Sequence, residues 1–164
     1  MPARPQDQDL DEEHIMRMKP ALTLDDAKKL LEAAEDEARR NKWEVVIAIL
    51  NDGGRIVAVH RMDGARPGND QIAIAKATTS AMTCRPSAVW ERWIEERHKA
   101  YITFPFIAAQ GGLPIIVDGD IIGAIGVSGV KSMQDEQIAM FAIRKVFPQA
   151  KTCRDGEEND AQTF

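Results

Sequence analysis

The residues able to do chemistry are few, and none falls into a local catalytic or metal-binding motif. His60 closes the apolar run Ile56-Val57-Ala58-Val59, and by the two-residue alternation of a strand its ring shares a face with Ile56 and Ala58, toward a helix-covered side. There it is either an acid/base or ligand group titrating near neutral pH, or a hydrogen-bonded structural histidine. Lys76 is the one charge inside an alanine-rich stretch. It suits neutralising a ligand carboxylate, and equally suits snorkelling to solvent or pairing with Asp63 or Asp70. Arg61 with Asp63, and Arg85 before Pro86-Ser87, read as the polar rim of a pocket or as loop-holding ion pairs. Surface pairs contribute only ~0–1 kcal/mol, so stability alone does not demand them.

Gly126-Val127-Ser128-Gly129 ends an apolar run and precedes a helical pattern. Its backbone N–H groups could hold a carboxylate or phosphate oxygen at the helix N-terminus; the plainer reading is a tight connection with Ser128 as a local cap. It lacks the second spacer of a Gly-x-Ser-x-Gly nucleophile elbow. There is no His-x-x-x-His, no paired cysteines and no carboxylate–histidine cluster, so metal catalysis has no support from spacing. His98 lies among Glu95, Glu96, Arg97 and Lys99, as at a solvated helix end.

Regular elements must position these groups. Leu24, Ala27, Leu30, Leu31, Ala34 and Ala38 recur at helical spacing behind Thr23, a candidate N-cap. Trp43 to Leu50 and Arg55 to His60 flank Asn51-Asp52-Gly53-Gly54 as a β-hairpin. Asn69 or Asp70 is placed to cap a helix through Ile72 and Ala81, whose small residues allow close helix–sheet packing. A second helical stretch runs from Ser87 through Trp90, Trp93 and Ile94 to about His98, followed by an unassigned segment with Tyr101, Phe104 and Phe106. These aromatics suit a pocket wall or, preferably, a subunit interface. Leu113 to Val117 and Ile121 to Val127 flank Asp118-Gly119 as a second hairpin, and Gln134 to Phe147 closes the pattern as a helix. Tight turns make the sheet antiparallel, and near-continuous apolar strands imply cover on both faces. The expected fold is α+β, an antiparallel sheet with flanking helices in the order α-β-β-α-α-β-β-α.

At 164 residues, residues 21–149 make one domain, with residues 1–20 and 150–164 as polar, flexible arms. A formal charge of −5 offers no basic field to a nucleic acid. Cys84 and Cys153 are not expected to form a structural disulfide. The N-terminal residues hold no apolar run of signal-peptide length and no later stretch reaches membrane-span length, so a cytoplasmic protein that binds neither membrane nor nucleic acid is expected.

Three blocks in order, Arg61-Met62-Asp63-Gly64-Ala65, Ala75-Lys76-Ala77-Thr78 with Ala81, and Gly111 to Gly129 followed by Gln134-Asp135-Glu136, resemble the GlcG/HbpS-like family, kin to the PduO C-terminal domain. The resemblance implies a profilin-like or PAS-like fold, homo-oligomers and a small-molecule ligand, with haem or a corrinoid in some relatives. A relative binding haem through histidine would be expected to carry it in the first helix, and residues 24–40 contain none. The remaining candidate donors are His60, His98, Met62, Met82, Cys84 and Tyr101. Two function classes follow. One is a binding protein that takes haem, a corrinoid or a planar carboxylated metabolite, with Lys76 and the Gly126 to Gly129 backbone gripping its acidic group. The other is a cofactor-free isomerase, lyase or hydrolase of a catabolic pathway, with His60 as acid/base and Arg61, Lys76 or Arg85 orienting a substrate carboxylate. A scaffold for a partner enzyme is a third possibility.

Overall fold

The computed structural model describes residues 17–96 and 99–153, so His98 and most of both expected arms lie outside the described residues. Helix α1 (Leu24–Arg40) starts where the sequence places it: Asp26 N–H donates to Thr23 Oγ1 at 3.1 Å and Thr23 N–H to Asp26 Oδ2 at 3.0 Å, a reciprocal capping box. Strands β1 (Val46–Asn51) and β2 (Ile56–Arg61) form the first hairpin. Asn51 Oδ1 accepts the N–H groups of Gly53 and Arg55, and Gly54 takes a positive φ of 70°. The second hairpin, β3 (Gly112–Val117) with β4 (Asp120–Ser128), turns on Asp118 and Gly119, both at positive φ, as a type I′ connection requires.

The sheet is antiparallel throughout, in the order β2-β1-β4-β3. Alternation divides its central strands between two cores. Val45, Ile47, Ile49, Ile125 and Val127 pack under α1 and α4 (Ser132–Val146), whereas Val46, Ala48, Leu50 and Ala124 pack under α2 (Asn69–Thr83). Three layers result, with the sheet in the middle, and the expected fold class and element order both hold. Ala73 and Ala77 of α2 meet Gly126 of β4, and Lys76 and Ser80 meet Gly112 of β3, so the helix axis lies close to the strands.

Local differences have local causes. Helix α2 is entered through Gly68 at φ 86° with no side-chain cap, rather than through Asn69 or Asp70, which fall inside its first turn. Helix α3 (Ser87–Glu96) leads to a short 3-10 helix at Lys99–Thr103 in the unassigned segment. Beyond the expected domain limits, Arg17 pairs with Asp120 at 2.6 Å, Lys19 pairs with Asp52, and Lys151 bridges to Ile116 on the edge of β3. Among the described residues no helix is long and apolar enough to cross a membrane.

Candidate functional site

Strand β2 is an edge of the sheet, and its last residues run out beside α1. His60 shares the face of Ala58, toward α1, and meets Glu35 from that helix: His60 Nδ1 lies 2.6 Å from Glu35 Oε1. A carboxylate oxygen only accepts, so Nδ1 donates to it, and a neutral ring would carry its lone pair on Nε2. Glu35 is braced from the next turn by Arg39. The side chain of His60 is 51% exposed. Arg61, Met62 and Asp63 continue past it, and Arg61 Nη2 donates to the Ala65 carbonyl at 3.0 Å, tying down the loop. Together with Glu35, Arg39, Glu44 and Val59 these residues line an open cleft of about 490 Å³.

Four of the residues singled out from the sequence, His60, Arg61, Met62 and Asp63, therefore meet in one place. Glu35, Arg39 and Glu44 of the same cleft were missed. The i, i+4 spacing of Glu35 and Arg39 marks an ordinary helix-surface pair, and only the packing of β2 under α1 sets it opposite His60.

Lys76, Gly126, Ser128 and Gly129 lie elsewhere, in the interior. Lys76 is 3% exposed and donates to Asp135 Oδ2 at 2.9 Å and to the Val127 carbonyl at 3.1 Å. Asp135 also accepts the N–H of Val130 at 3.1 Å and that of Gly129. The cation and backbone amides expected to grip a ligand carboxylate thus grip a carboxylate of the chain itself. Burial pushes the Asp135 carboxyl up, against the pull of Lys76 and of the two amides. Gly126 and Ser128 are in the β4 ladder, paired with Ala48 and Val46.

Glu136, the neighbour of Asp135, is also pushed up by burial, opposed by Gln110, the Gly111 amide and Lys76 and reinforced by Glu91. Its Oε2 is buried with no hydrogen-bond partner. Arg85 sits apart from both places, its guanidinium 5.5 Å from the centre of the Trp93 ring. The aromatic side chains pack largely on one another: the Trp90 ring is 5.3 Å from Trp93, 5.2 Å from Tyr101 and 5.7 Å from Phe104. Among the described residues no three His, Cys, Asp or Glu side chains converge as metal ligands.

A family model described as haem degrading protein HbpS-like matches residues 22–144. Protein GlcG of Escherichia coli strain K12 is 38% identical over 114 residues, which cover 69% of this chain and 85% of that protein. Among solved structures, a double mutant of HbpS from Streptomyces reticuli superposes with a TM-score of 0.73 at 25% identity, covering 88% of this chain and 98% of the other. PduOC, solved as a haem complex, has a TM-score of 0.74 at 24% identity, with 82% and 100% covered, a likeness of fold.

Proposed function

The chain belongs to the HbpS-like family, and on that premise we propose that it is a small-molecule-binding protein whose cleft between β2 and α1 takes a planar acidic ligand of the haem class. The observation that carries this reading is the convergence of His60, Arg61 and Met62 on one open cleft of about 490 Å³, with Arg39 across it. An imidazole and a thioether are iron donors, and the Arg61 guanidinium suits an acidic group, while Glu35, Glu44 and Asp63 of the same lining carry the sign of a propionate and Val59 is its one aliphatic contact. The chain's own part would be to hold the acidic group through Arg61. In this reading Lys76, Gly126, Ser128 and Gly129 support the fold and do not touch the ligand.

Absorption titration of the purified protein with hemin tests the proposal. A saturable shift of the Soret band is expected, weakened about tenfold in Arg61→Ala, the effect of losing one charge-assisted bond of roughly 1.5 kcal/mol. A linear, unsaturable rise would overturn it.

One observation favours a second reading. A neutral His60 paired with Glu35 leaves Nε2 as a base beside Arg61, the arrangement a cofactor-free isomerase or lyase needs to move a proton on a carboxylated substrate. Turnover of ring-cleavage acids that persists in chelator and vanishes in His60→Ala would establish that reading in place of the first.

A further inference from the structure

We propose that the groove between α2 and the segment 105–107 is a second binding site, for an uncharged aromatic molecule that carries a hydroxyl group. Helix α2 uses two stripes of side chains. Ala73, Ala77 and Ala81 are buried in the core against the sheet, whereas Gln71, Ile74, Ala75 and Thr78, spaced i, i+3, i+4 and i+7, form a stripe that the sheet leaves open. Pro105, Phe106 and Ile107 stand along that stripe as a wall. The wall is tied to the helix, because the hydroxyl of the buried Thr79 donates to the Ile107 carbonyl at 3.0 Å. Between helix and wall is a groove of about 380 Å³, within the ~300–1,000 Å³ of small-molecule pockets.

The lining sets the class of ligand. Five of its side chains are apolar, and none of the described residues that line it is charged. A carboxylate or an ammonium would give up hydration there without meeting a counter-charge, so a neutral molecule is favoured. Gln71 and Thr78 are the polar groups. Thr78 Oγ1 spends its proton on the Ile74 carbonyl at 2.8 Å and is left as an acceptor, which calls for a donor such as a hydroxyl. Phe106 sets the aromatic preference: half-buried, it lines the groove while its ring centre lies 6.5 Å from that of Trp90, so a ligand ring would extend the aromatic cluster. The groove shares no lining residue with the cleft between β2 and α1 and adjoins α2 instead, so it is independent of what that cleft holds.

Isothermal titration calorimetry of the full chain with 2-naphthol, and with 2-naphthoate as a charged counterpart, tests the site. Thr78→Val keeps the shape and removes the acceptor, and Ala75→Leu fills the groove, with folding of both checked by circular dichroism. Expected are saturable binding of 2-naphthol, binding of 2-naphthoate weaker by about tenfold, a loss of about fivefold in Thr78→Val, as one uncharged hydrogen bond of ~1 kcal/mol predicts, and no binding in Ala75→Leu. The site is overturned if 2-naphthol gives no saturable heat, or if Ala75→Leu binds it as well as the unsubstituted protein does. Equal affinity for 2-naphthoate would overturn the preference for a neutral ligand, and an unchanged affinity in Thr78→Val the role of the hydroxyl. Absent binding together with a dimer that Ala75→Leu converts to monomers, read by light scattering, would assign the groove to a second copy of the chain instead.

Discussion

At Glu136 the backbone and its neighbours leave one carboxylate oxygen buried and unbonded, next to Asp135 and within the field of Glu91. Burial raises its carboxyl above the ordinary 4.5, so the folded chain holds that proton more tightly than the unfolded chain does. The linked contribution is fully present below 4.5 and is lost as pH climbs from there through the raised value. Glu136→Gln, which stays neutral, should therefore gain stability relative to the unsubstituted protein as pH rises from 4 to 8, by urea unfolding at a series of pH values. A difference that stays flat across that range would contradict the burial argument. Asp26 has the opposite sign: its hydrogen bond with Thr23 holds the carboxyl below the usual range, so the capping box weakens as acid protonates it.

Among the elements, α2 is placed most tightly. A Cβ on Gly126 would lie 2.1 Å from the Ala73 carbonyl and 2.6 Å from the Ala77 nitrogen, both backbone atoms of a helix that cannot swing aside as a side chain can. Gly126→Ala should cost at least the upper end of the ~1–3 kcal/mol typical of overpacking, read as a lower denaturation midpoint with far-UV circular dichroism retained. Sequence reasoning saw the small residues on α2 and their use in close packing. It did not see that Gly126 belongs to the same contact, and left that glycine between a ligand and a tight connection. Glycine signals freedom from a side chain, and a sequence does not say whether a ligand or a helix needs the space.

For the whole molecule the Lys76–Asp135 pair joins the outer layers. Lys76 comes from α2 on one face of the sheet and Asp135 from α4 on the other, and they meet past the start of β3 where Gly111 leaves room. A Cβ on Gly111 would stand 2.8 Å from Lys76 Nζ, and its φ of 121° excludes other residues at little cost. Lys76→Met leaves the Asp135 charge buried and uncompensated, with an expected loss of about 3–5 kcal/mol near neutral pH. The loss should shrink as pH falls and Asp135 takes up a proton, measured by urea unfolding at pH 7.5 and pH 5. A pH-independent loss would mean that Lys76 acts through packing alone.

The four main helices, strand pairing within each hairpin, cover on both sheet faces and family membership were determined by the sequence, because each depends on local turn chemistry, short-range periodicity or contiguous blocks of residues. The partners of the polar residues were decided only by the tertiary structure. Lys76 and Asp135 are 59 positions apart and His60 and Glu35 are 25 apart. Such pairs form when layers stack, and no spacing rule along the chain encodes which charge a buried cation will meet. The sequence offered Lys76 as a partner for a ligand carboxylate and His60 as an acid/base or structural group; burial made the first a bolt between layers, and the sheet edge left the second lining an open cleft.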